Sequence, residues 1–94
     1  MTAEIQVDRL ADGVFQVKVI EGASRSSHRV TLGTQYYDRV ADGKIEPEEL
    51  VRCSFEFLLE REQKESILSK FDLSEISRYF PNFEREITRR LSAT

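Results

Sequence analysis

In 94 residues the sequence holds one cysteine, one histidine, two prolines and no tryptophan. The lone Cys53 excludes an internal disulfide and a cysteine-rich metal site, and a reducing compartment is the simpler setting for it. With His28 the only histidine, Cys53–His28 is the only Cys/His pairing available for nucleophilic chemistry. No Gly-rich phosphate loop, P-loop lysine motif or zinc-ligand spacing occurs. No apolar stretch approaches the length of a membrane span. The opening MTAEIQVDRL lacks the basic n-region and apolar run of a secretory signal, so a cytoplasmic protein is expected. There is also no basic block: the net charge is −3 and the pI about 5.2. An acidic chain of this kind is a poor candidate for a phosphate backbone, so no nucleic acid is expected as partner. A nucleic-acid regulator would need a basic face that mixed charges conceal in one dimension.

What remains is the composition of an ordinary folded domain, 39% hydrophobic and 33% charged. Residues 1–94 are read as one domain, with strands over about 4–32 and helices over about 34–92. EIQVDRL and VFQVKVIE alternate with a period of two around Asp12-Gly13, the pattern of a β-hairpin. GASRSS, residues 22–27, reads as a flexible polar loop, and HRVTLG as a short third strand beginning at a half-exposed His28. Thr34 then caps a short helix that Gly43 ends, and Pro47 opens the longest helix, PEELVRCSFEFLLERE. On a helical projection its Glu49, Arg52, Glu56 and Glu60 fall within an arc of about 80°, so this helix, 47–61, should be central and covered on several sides. Ile67, Leu68 and Phe71 read as a short helical segment. Asp72 and Glu75 have capping-box spacing, and Pro81 must break the pattern that runs from Leu73 to Leu91. Strands first and helices after give an α+β fold: a three-stranded antiparallel β-meander followed by three to four helices.

In DRVADGKIEPEEL, residues 38–50, the second half, DGKIEPEEL, resembles the back end of a calcium loop. With Gly43 at the sixth position, Asp38, Asp42, Glu46 and Glu49 fall on ligand positions, but Val40 stands where the third must supply oxygen. A helix end followed by a helix start explains the same residues without a metal. The cluster SRYFPNF offers aromatics beside arginines, a composition enriched at protein interfaces. Arg78, Tyr79, Phe83 and Arg85 are therefore the candidate interaction surface, and the competing reading places the aromatics in the core. Tyr36 and Tyr37 form a weaker candidate, and Arg89 and Arg90 suit a helix C-terminus.

The stretch from His28 to Ile87 also resembles a small family of bacterial proteins of uncharacterised function that share an EELV–SFEFLLERE–ESIL–FDL–I–RYFP–FE signature. The likeness covers about two-thirds of the chain and is looser in the N-terminal hairpin. It implies bacterial origin and a free-standing small domain, and carries no activity, cofactor or catalytic residue. The leading expectation is a non-enzymatic accessory or protein-interaction domain with an unidentified protein partner and no cofactor, catalytic residue or metal. Two alternatives stand beside it: a small enzyme or small-molecule-binding protein whose site only the fold assembles, and a degenerate calcium loop at 38–49. An edge strand of so small a sheet offers a route to a homodimer.

Overall fold

The computed structural model describes residues 3–92. Its first half is a meander of three eight-residue strands, β1 (Glu4–Ala11), β2 (Val14–Glu21) and β3 (Ser24–Thr31), paired antiparallel. The two links are two residues long. In the first, Gly13 takes φ +71°, while the register slips between Arg9 and Ala11. In the second, Gly22 takes φ +61° at the first central position, as a tight hairpin with matching twist requires. The serine-rich stretch read as a loop is therefore strand from Ser24 onward. Polar residues pair there as well as apolar ones because the outward face of this sheet meets water.

Helices follow: α1 (Thr34–Ala41), α2 (Pro47–Leu59), α3 (Ile76–Tyr79) and α4 (Phe83–Ser92). Pro47 occupies the first turn of α2, with Glu48 and Glu49 at its positive end. Gly33, not Thr34, is the residue preceding the first turn of α1, and it offers no side-chain cap. Between α2 and α3 the chain makes a 3₁₀ turn over Lys64–Ser66 and then a fourth strand, β4 (Lys70–Asp72). This strand lies parallel to β3 at the sheet's far side, giving the order β1-β2-β3-β4. The helical segment expected around Ile67, Leu68 and Phe71 is thus replaced by a turn and a strand. Three apolar residues at suggestive spacing were outweighed by free hydrogen-bonding positions on β3.

The core lies between one face of the sheet and the helices. Phe15, Val17, Val19 and Val30 point inward from the strands; Leu50, Val51, Phe55, Phe57 and Leu58 meet them from α2; Phe83 and Ile87 do so from α4. Phe55 is fully buried, 5.3 Å from the His28 ring and 6.0 Å from Phe71. His28 is not half-exposed but 3% exposed. Its Nδ1 lies 2.8 Å from the Leu68 carbonyl and its Nε2 2.8 Å from Ser26 Oγ. A carbonyl only accepts, so Nδ1 carries the proton and, in the neutral ring, Nε2 accepts from the serine hydroxyl.

Three further ties hold the returning segment. The Arg29 N–H donates to the Ser69 carbonyl at 2.7 Å. Lys64, buried along its stem, meets Glu21 at 3.2 Å and also Glu65, and these carboxylates raise its pKa. Asp72 caps the turn Leu73–Glu75: it accepts from the Ser74 N–H at 3.1 Å, and Glu75 reaches back to the Asp72 N–H at 3.4 Å. It accepts also from the Ser74 hydroxyl and from Thr31 Oγ1, the latter at 2.7 Å. Burial alone would raise the Asp72 carboxyl, but the Ser74 and Thr31 bonds outweigh it and hold the group below its ordinary value.

At the opposite edge, Arg52 donates to the Ile5 carbonyl of β1 at 2.7 Å and occupies an acceptor of that edge strand. No helix among the described residues is long and apolar enough to cross a membrane.

Two outcomes check this description. A Cβ on Gly13 would sit 2.8 Å from the Leu32 carbonyl oxygen at a positive φ, so Gly13→Ala should destabilise by more than about 1 kcal/mol in denaturant melts. Asp72→Ala should cost about 1 kcal/mol at neutral pH through the lost cap. Because the folded-state pKa of Asp72 is depressed, that contribution is present above its unfolded value and is lost as pH falls through the folded one. The gap between variant and wild type in thermal melts should therefore narrow below roughly pH 4.

Candidate functional site

The four residues of the expected interaction surface divide. Phe83 is fully buried and belongs to the core, with its ring 5.1 Å from Phe57 at a steep angle. Phe80 packs 5.8 Å from the same ring, while the Arg61 guanidinium lies 3.7 Å from its centroid. The Pro81 break therefore turns the chain so that two phenylalanines close on Phe57 of α2, an apolar gain that removes Phe83 from any surface. Arg78, Tyr79 and Arg85 remain exposed, and Arg85 reaches Asn82 Oδ1 at 3.2 Å.

Tyr79, 66% exposed, borders a groove of about 250 Å³. One wall is the end of α2 and the turn beyond it, with Leu58 and Glu62. The other is Glu75, Ile76 and Tyr79, and the floor is Phe71 of β4 with Phe80. Ser66, Ile67 and Leu68 form the third side. Leu68 is 49% exposed, although its carbonyl is fixed by His28. The walls are held from several directions: the Glu62 N–H bonds the Leu58 carbonyl at 2.8 Å, Lys64 anchors the turn, and Asp72 caps the 3₁₀ turn that leads into α3. Glu62 and Glu75 are the only charged residues in the lining, and no base stands among them. An apolar trough with an acidic rim results.

Tyr79 was visible in the sequence, but Leu68 and Glu62 were not singled out. With one apolar residue in β4, Phe71, the sequence carried no alternation to mark a strand there, and Leu68 lies just before it.

The other candidates serve the fold. In the 38–49 stretch, Val40 is buried, and Asp42 and Gly43 take φ +51° and +70° to end α1. Tyr37 donates its hydroxyl to the Ile45 carbonyl across that turn. No group of three His, Cys, Asp or Glu side chains among the described residues is placed to hold a metal ion. The Tyr36 ring lies 5.1 Å from the Arg39 guanidinium, and burial, with Glu84 alongside, pushes its phenol up. Arg90 bonds Glu60 at 2.7 Å and Arg89 bonds Glu86 at 2.6 Å. Cys53 is half-buried on α2, and burial pushes its thiol up, the reverse of what an activated nucleophile needs. Both nitrogens of His28 are engaged by Ser26 and Leu68, which leaves neither to deprotonate a thiol.

Comparison of the chain with protein-family models, with curated proteins and with solved structures gave no match.

Proposed function

We propose that this protein is a non-enzymatic interaction domain that captures a segment of a partner protein in the groove between α2 and α3. The segment presents one aliphatic or aromatic side chain to the trough and a lysine or arginine beside it to Glu62 and Glu75. The observation that carries this reading is a coincidence of place: among the described residues, two of the three exposed large hydrophobic residues, Leu68 and Tyr79, flank the same concavity. Exposed apolar residues scattered singly need no explanation, but a pair around a shaped trough does. The carboxylates at its rim, with no lining base to neutralise them, choose among apolar segments by charge. Binding is favoured over catalysis because the two groups best suited to nucleophilic chemistry, Cys53 and His28, are respectively raised in pKa and fully hydrogen-bonded.

Selection from a displayed random-peptide library tests this. Enriched peptides should share an apolar anchor with adjacent basic residues and should perturb the amide resonances of residues 66–71 and 76–80. Tyr79→Ala and Leu68→Asp should each weaken them at least tenfold with unchanged melting curves, since Tyr79 is mostly and Leu68 about half exposed. Glu62→Lys should shift the selection toward acidic flanks. Peptides that bind Leu68→Asp and wild type equally, or a library that yields no enrichment, would overturn the assignment.

A further inference from the structure

The sheet has a second face, and its charge is opposite to that of the protein as a whole. Phe15, Val17 and Val19 of β2 and His28 and Val30 of β3 point into the core, so Gln16 and Lys18 and, opposite them, Arg25, Ser27 and Arg29 point to water. On β4, Phe71 points inward beside Val30, and Lys70 stands outward directly across from Arg29. Lys18 pairs with Ser27, and Arg25 lies two positions further along the same face of β3. Four bases thus cluster on one exposed surface. Elsewhere Arg9, Arg39, Arg52, Arg61, Lys64, Arg89 and Arg90 bond carboxylates, as in Arg9–Glu48, Arg39–Glu84 and Arg90–Glu60, while Arg85 bonds the Asn82 amide oxygen. Among the described residues no ion pair engages Lys18, Arg25, Arg29 or Lys70. The acids on this face are Glu4 and Asp8, on the far strand β1, and Asp72, whose oxygens are taken by Thr31 and Ser74.

The cluster has a concave centre. Where β3 meets the segment before β4, a shallow depression of about 290 Å³ is lined by Gln16, Ser27, His28, Arg29, Ser69 and Lys70. Its rim carries two cations and the hydroxyls or amide of Gln16, Ser27 and Ser69, all able to donate hydrogen bonds, and no carboxylate. The His28 ring is turned inward to Ser26 and Leu68. The volume is at the low end for ligand sites, enough for a small anionic group rather than a whole drug-sized molecule. No aromatic ring stands on this face to stack a base, and no large apolar side chain lines the depression.

From this geometry we infer that the depression between β3 and β4 is a binding site for a phosphate group, held by Arg29 and Lys70 with Ser27, Ser69 and Gln16 as neutral donors. Arg29 provides the planar fork that matches two phosphate oxygens, and Lys70 a point charge beside it. Lys18 and Arg25 extend the positive field along the sheet. The phosphate is carried either by a small molecule or by a nucleic-acid backbone; the chemistry recognised is the same. The site is independent of the groove, although residues 68–71 contribute to both, Leu68 and Phe71 to one and Ser69 and Lys70 to the other.

The test follows amide resonances of the whole chain during titration with inorganic phosphate, against sodium chloride at matched ionic strength, and separately with a short single-stranded oligonucleotide. Saturable shifts confined to residues 16, 27–29 and 69–70 in phosphate but not chloride support the site with a small phosphate as ligand. Tighter binding of the oligonucleotide at the same residues, with a log–log salt slope of about −3 for four neutralised phosphates, supports the nucleic-acid backbone as the source. In either case Arg29→Gln and Lys70→Gln should each weaken binding about tenfold. Both side chains are exposed, so melting curves should not move. Equal shifts in chloride and phosphate with no oligonucleotide binding, or binding that survives both substitutions, would overturn the inference.

Discussion

Phe55 is the contact on which the arrangement depends. One ring from α2 lies against His28 of β3 and Phe71 of β4, so three elements far apart in the chain are located by a single buried side chain. The antiparallel meander alone has one apolar face and nothing to cover it. α2 covers that face, and the aromatic contact decides where along the sheet the chain returns to add its fourth strand. Polar bonds then fix what packing has brought near: the His28 imidazole to the Leu68 carbonyl, the Arg29 amide to the Ser69 carbonyl, and Lys64 to Glu21. Packing supplies most of the free energy, while these bonds supply the register.

The ion pairs have a different consequence. Exposed pairs such as Arg9–Glu48 or Arg39–Glu84 add little to stability one by one. Their effect on charge distribution is larger, because they occupy most of the bases of the helical layer, Arg78 and Arg85 excepted. The groove there keeps two glutamates without a cation in its lining, while the outward face of the sheet keeps its cations. A chain that is acidic overall therefore presents two surfaces of opposite sign on either side of one sheet.

Much of the fold was legible because its signals are local. Alternation in VFQVKVIE, the Gly13 turn, Pro47 at the start of α2, the Asp72–Glu75 capping box and the break at Pro81 each depend on a few neighbouring residues, and each stands where the sequence places it. The α+β class follows from their order. Long-range choices were less legible. β4 pairs with a strand from the first third of the chain, and nothing in KFD names that partner. His28 looked half-exposed because the ring that covers it, Phe55, lies on a different element. The sequence left the aromatics around Pro81 open between core and surface; Tyr79 is exposed and Phe83 is core, since the turn at Pro81 directs them to opposite sides. The basic face escaped linear reading because Lys18, Arg29 and Lys70 are distant in sequence and adjacent only across strands.

The parallel pairing of β4 has a further consequence for how the molecule assembles and opens. The hairpins β1–β2 and β2–β3 close loops of two residues and form from the chain's nearest neighbours. β4 joins only after everything from Leu32 to Ser69 has been laid down, at the entropic cost of a long closure. It contributes three paired residues, against seven between β1 and β2 and eight between β2 and β3. The meander and the segment carrying β4 are thus held by pairing of unequal extent. Amides of β2 should exchange with solvent only on global unfolding, whereas those of residues 69–72 exchange through a partial opening at lower free energy.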